Sequence, residues 1–117
     1  MSSAAYYEEY KRCKEIISVI DKAISACGKL KNSISSISDD LVSGINLMRE
    51  GYLYNGKTIA EDELNSLKQL LSSVNSNTLG DLESKLKSKK NSIASQRDSA
   101  YQNYKEALAR EEQEAEG

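Results

Sequence analysis

Gly51-Tyr52-Leu53-Tyr54-Asn55-Gly56-Lys57-Thr58 decides the fold, because it is the strong chain-reversal signal between two long stretches of helical pattern. Asn55-Gly56 is the pair that most readily accepts positive φ at both central positions of a tight reversal, and Leu53-Tyr54 and Lys57-Thr58 are placed to pair for a residue or two beside it. Thr58 then stands three residues ahead of Glu61. At that spacing a hydroxyl caps one free helix N–H and the carboxylate reaches back to another. Everything else reads as two arms hung from this turn.

On the N-terminal side the apolar positions run Tyr6, Tyr10, Cys13, Ile17, Ile20, Ile24 and Cys27 at alternating spacings of four and three, a coiled-coil seam and not a strand pattern. With a slip around Leu30 and Lys31 the series continues through Ile34, Ile37, Leu41, Ile45 and Met48. Ser2 or Ser3 caps the start, and Glu8 and Glu9 lie near the first turn, where negative charge opposes the helix dipole favourably. The first arm is therefore predicted as a helix from about 3 to 49. Gly28 costs about 1 kcal/mol relative to Ala in its interior, and the Ser-rich 32–38 segment has low helix propensity, so the helix is continuous with room for a bend. Gly44, on the seam side, reads as a place where another backbone approaches closely.

On the C-terminal side the seam reads Leu64, Leu67, Leu71, Val74, Thr78, Leu82, Leu86, Ile93, Ala100, Tyr104 and Ala107. The second arm is predicted as a helix over about 59–110, kinked but continuous through Asn75-Ser-Asn-Thr-Leu-Gly-Asp81, which is poor in helix formers. The acidic 111–117 tail opposes the dipole at a helix C-terminus and is expected to fray.

These arms predict an all-α fold: a long antiparallel, coiled-coil-like helical hairpin with its turn at about residues 50–58, forming one domain over 1–117. The composition agrees. The 117 residues include no Pro, Phe, Trp or His and only 6 Gly, and 16 basic residues stand against 18 acidic ones. That balance provides no general electrostatic attraction to nucleic acid or an anionic membrane. Lys85, Lys87, Lys89 and Lys90 cluster without an interleaved aromatic to stack on bases, so they read as a solvated face. The N-terminus does not read as a signal peptide, and no apolar run approaches the roughly 20 residues needed to cross a bilayer. The expectation is a cytoplasmic chain, or one exported with a partner by a route that reads no cleavable leader. Cys13 and Cys27, two heptads apart on one helix, cannot bridge each other and read as buried small apolar residues.

No catalytic signature is visible. There is no His for acid–base or metal work, the cysteines lie on an apolar stripe, and neither Asp39-Asp40 nor Glu61-Asp62-Glu63 has the spacing of a carboxylate metal site on helices. The expectation is a non-enzyme with no cofactor and no metal. What remains is binding. Ile16, Val19, Leu30, Val42 and Leu47 on the first arm, and Leu70, Leu79 and Leu108 on the second, widen each stripe beyond what one partner helix covers. A two-helix hairpin is marginal alone, so further helices are needed, from a second copy or from another protein. The candidate partner-binding residues are Leu30, Leu47, Leu70 and Leu79, with Tyr52 and Tyr54 at the tip; Asn55 and Gly56 form the turn.

The Gly51-Tyr-x-x-Asn55-Gly56-Lys57 turn, the Ile/Leu heptads on both sides and the Leu64-x-x-Leu67 opening of the second arm resemble the WXG-type helical hairpins of Gram-positive type VII secretion. They resemble more closely the YwqH-like family of small helical partners encoded beside LXG toxins. The Trp-x-Gly turn of the wider superfamily is absent, and Tyr54-Asn55-Gly56 has the same aromatic-x-Gly form. The Tyr-x-x-x-Asp/Glu export signal is also missing, since Lys105 and Leu108 stand four residues beyond Tyr101 and Tyr104. The resemblance implies a chaperone or targeting factor that binds the helical N-terminal LXG domain of a toxin, alone or with a second small helical protein. The competing expectation is a self-associating helical-bundle scaffold or small WXG-like secreted protein.

Overall fold

A computed structural model describes the backbone of residues 1–51 and 56–116 and the side chains of 1–47 and 61–116. The fold is an all-α helical hairpin. Helix α1 spans Ser3–Gly51 and forms the first arm. The second arm is α2, Gly56–Ser73, then a π-helical segment, Val74–Leu79, then α3, Gly80–Glu116, in one unbroken run. Among the described residues there is no strand. The helix boundaries at Gly51 and Gly56 fall inside the expected turn. Thr58 is thus the third residue of α2, not the cap before it, while Tyr52, Tyr54 and Asn55 lie outside the described residues. The single-domain reading is refined as well, for the chain groups into two compact units, Met1–Ile24 with Lys85–Gly117, and Ser25–Ser84.

In the first unit, α1 and α3 run antiparallel: Tyr7 meets Tyr104, Tyr10 meets Tyr101, and Asp21 pairs with Lys90 at 2.7 Å. Cys13, Ile17, Ile20 and Ile93 form the buried cluster, with Ile24, Leu86 and Ala94 packed on it. Ala100 and Ala107 are also buried. Each Ile removed from water in this way contributes about 1.5–3 kcal/mol. Ser2 caps α1, its Oγ accepting from the Ala5 N–H at 3.2 Å. No acid of α1's own sits in its first turn. Glu111 of α3 takes that place, accepting from the Ser3 N–H at 2.9 Å and from the Ser3 hydroxyl. Glu111 lies within α3, which extends to Glu116 through the acidic segment expected to fray.

The second unit holds the π segment. Gly80 donates its N–H to the Asn75 carbonyl, five residues back, in place of a four-residue α bond. The cause is in the side chains. Asn75 donates its amide to the Lys31 carbonyl at 3.0 Å and to Ser35 Oγ at 3.4 Å, and Ser76 bonds back to the Ser72 carbonyl. Short polar side chains thus compete with the helix ladder where Asn75-Ser-Asn-Thr was read as weak. The wide turn shifts the phase of the seam. Leu79 is 9% exposed and Asn75 and Glu83 face inward, whereas Thr78 and Leu82 face solvent.

The first arm corrects the sequence reading in a related way. No slip occurs at Leu30. Cys27, Lys31, Ile34, Ser38, Leu41 and Ile45 hold an unbroken heptad series in which none is exposed, and Ile37 points out. Polar residues take two core-facing places, with Lys31 reaching Glu83 at 3.9 Å. Cys13 and Cys27 are buried free thiols. Gly28 leaves α1 intact, and among the described residues a Cβ at Gly44 would meet nothing within 4 Å, so no described backbone makes the close approach expected there.

Candidate functional site

A helix residue one position before a seam residue lies about 100° around the axis from it. When two helices run antiparallel, the one-before positions of both fall on the same flank of the pair. The first unit displays this directly, because Ala5, Glu9, Arg12 and Ile16 of α1 and Gln96 of α3 line one groove. In the second unit the antiparallel pairing comes from Asn75 with Lys31 and Ser35 and from Lys31 with Glu83.

The one-before positions of the second unit include exposed aliphatic side chains on both arms. On α1 they include Leu30, Ile37 and Leu47, exposed by 53%, 50% and 68%; on the second arm they include Leu67, Leu70 and Leu82, with Leu70 at 60%. Large aliphatic side chains this open are ordinary when scattered and informative when they share one flank. At the tip end of the flank, Asp62, Glu63 and Ser66 border a groove with Leu67 and Leu70. The surface is a set of exposed aliphatic side chains with acidic residues at one end. Among the described residues no group of His, Cys, Asp or Glu is placed to hold a metal ion.

The predicted contact residues divide as follows. Leu30, Leu47 and Leu70 stand on the flank. Leu79 does not, because the π turn carries it into the seam. Tyr52 and Tyr54 lie outside the described residues, as does the Asn55 half of the turn pair. Ile37, Leu67 and Leu82 belong to the face and were assigned to the seam by their apolar identity alone. Among the basic cluster, Lys90 pairs with Asp21 at 2.7 Å, and both side chains remain 40–49% exposed.

A tyrosine cluster was also missed. Tyr7, Tyr10, Tyr101 and Tyr104 form a closed ring of neighbours with centroids 5.0–6.0 Å apart, and Lys11, Lys14 and Lys105 each lie 5.2 Å over a ring four residues away on the same helix. Each ring already has an aromatic or cationic neighbour, worth about 0.5–1.5 kcal/mol per pair. The cluster clamps α1 to α3 and requires no ligand to explain it. Its signal was the three- and four-residue spacing of tyrosines near both termini, arms that antiparallel pairing brings together.

Among the described residues, no helix is long and apolar enough to cross a membrane. Comparison with known protein families, with functionally characterised proteins and with solved structures finds no match to this chain.

Proposed function

We propose that this chain is a non-enzymatic helical partner, a chaperone or targeting factor, that binds the N-terminal helical LXG domain of a type VII secretion toxin. The observation that carries the reading is the flank of the second unit, where both arms direct leucine or isoleucine into solvent on one side. Helices from a partner laid along this flank convert a marginal two-helix pair into a bundle with a closed core. The resemblance of the turn and heptads to the YwqH-like family supports this choice of partner. The absence of a Tyr-x-x-x-Asp/Glu signal from this chain suits a subunit whose cargo carries the address. On this reading the complex assembles in the cytoplasm, and the chain is either left there or exported with its cargo.

The test is co-expression with the N-terminal domain of the toxin encoded beside it. The expected result is a complex of fixed stoichiometry in size-exclusion chromatography with light scattering. Separate elution of the two proteins at micromolar concentration would overturn the proposal.

A further inference from the structure

Tyrosine is the only aromatic side chain in a sequence without Trp, Phe or His, so a one-electron oxidant that reaches a ring of this protein reaches a phenol. Four of the seven tyrosines form two facing pairs in the first unit. Tyr10 and Tyr101 have centroids 5.0 Å apart and planes tilted by 40°, and Tyr7 and Tyr104 have centroids 5.1 Å apart and planes tilted by 44°. Neighbours along one helix are farther apart, at 5.9 Å and 6.0 Å. Two phenoxyl radicals couple through the ring carbons beside the hydroxyl, and the biaryl so formed is twisted, with its centroids one bond and two ring radii apart. Each facing pair therefore closes by less than a bond length to reach it, a motion that small side-chain rotations supply. Each pair also has an outer and an inner member. Tyr101 and Tyr7 are 41% and 40% exposed, while Tyr10 and Tyr104 are half-buried beneath them. The outer ring meets the oxidant, and the inner ring is held against it.

From this geometry we propose that the tyrosine quartet is an oxidative cross-linking site, at which a one-electron oxidant joins α1 to α3 as dityrosine, Tyr10 to Tyr101 and Tyr7 to Tyr104. Each phenol gives one electron to the oxidant and its hydroxyl proton to water. The two radicals then form one carbon–carbon bond, and the ring hydrogens displaced at that bond move to the oxygens and restore both hydroxyls. Each cross-link thus costs the protein two electrons and two protons, and it consumes two equivalents of oxidant. Lysine ammonium groups 5.2 Å over Tyr7, Tyr10 and Tyr101 oppose positive charge on those rings. The proton therefore leaves with the electron, and the radicals that meet are neutral. Because the bond ties residues near the two ends of the chain, it closes almost the whole chain into a loop and restricts the unfolded state as a long-range disulfide does. The proposal is independent of any partner.

The test is photo-oxidation of the dilute full chain with a ruthenium tris-bipyridyl complex and persulfate. The expected product runs as a single chain in denaturing electrophoresis, shows the blue fluorescence of dityrosine, and has lost two hydrogens per cross-link. Trypsin, cutting after Lys11, Arg97 and Lys105, should release residues 1–11 joined to residues 98–105. The cross-linked chain should melt about 10 °C or more above the parent. Tyr10→Phe with Tyr104→Phe keeps the ring packing and leaves the two exposed tyrosines, Tyr7 and Tyr101, but removes one phenol from each facing pair. In that double variant the joined peptide should fall to background with helicity unchanged. Tyr6→Phe should leave the yield as it is, since Tyr6 lies in a groove with Asn103, Glu106 and Arg110. Parental yield from the double variant would mean that exposure alone selects the rings and would overturn the proposal. So would an equal yield from the parent in denaturing urea, or a folded parent that gives no joined peptide.

Discussion

Leu79→Ala and Leu82→Ala should have opposite weights from those a plain heptad assigns. Leu79 is 9% exposed and Leu82 is 46% exposed, because the π segment advances the seam by one residue between Leu71 and Leu86. Truncating a buried leucine removes its transfer free energy and leaves a cavity, in total about 2–5 kcal/mol. A seam closed by two helices relaxes more than a globular core, so the lower part of that range applies, about 2–3 kcal/mol. Leu82 leaves about half of its side chain in water already, which limits its loss to about 1 kcal/mol. For a chain of this length the first change lowers Tm by about 8–15 °C and the second by only a few degrees. Urea and thermal unfolding followed by circular dichroism at 222 nm, at a dilution where parent and variants run as single chains, reads both. Equal losses, or a greater loss for Leu82→Ala, would show that residues 74–79 follow the ordinary α-helical phase and would refute the π assignment.

Ile20→Asp places an unpaired charge in the buried cluster of the first unit and should unfold it, with loss of the helical signal at 37 °C; retention of the parent midpoint would contradict the seam. Gly28→Ala should stabilise by about 0.5–1 kcal/mol, since a Cβ there meets nothing within 4 Å and the helix gains propensity, and a fall in urea midpoint would count against that. The Ser3 hydroxyl and then its N–H hold the Glu111 carboxyl below the usual carboxylate range. A depressed folded pKa makes the contribution fully present above the unfolded value and lost as pH falls through the folded one. Glu111→Gln should therefore be less stable than the parent at neutral pH and equal to it at the acid end; a constant gap across the titration would mean the charge plays no part.

How much was legible in the sequence follows from what periodicity reports. The Tyr6 to Cys27 series located the first seam because apolar identity and helical phase agree there. Beyond Cys27 they part. Lys31 and Ser38 occupy seam positions while Leu30 and Ile37 stand beside them, so a reading that follows apolar residues drifts by one position and mistakes the exposed flank for the core. On the second arm the same drift has a different cause, since Asn75 bonding to the Lys31 carbonyl inserts an extra residue into one turn. The weak segment was visible in its Asn and Ser content, but its one-residue phase shift depends on a partner 44 positions away. The contact between Ser3 and Glu111 and the tyrosine clamp were hidden for the same reason, because each joins the two termini and is local to neither.

The most direct measurement is the affinity of the proposed partner, the N-terminal domain of an LXG toxin, for the parent chain and for a Leu30→Glu, Leu70→Glu double variant, by titration calorimetry. Both substitutions fall on side chains exposed in the single chain, so helicity and melting should change little at a dilution where parent and variant run as single chains. The apolar flank as a docking face predicts at least a hundredfold weaker binding, about 3 kcal/mol, from two buried carboxylates at the contact. Binding within a factor of two of the parent, with helicity intact, would contradict it.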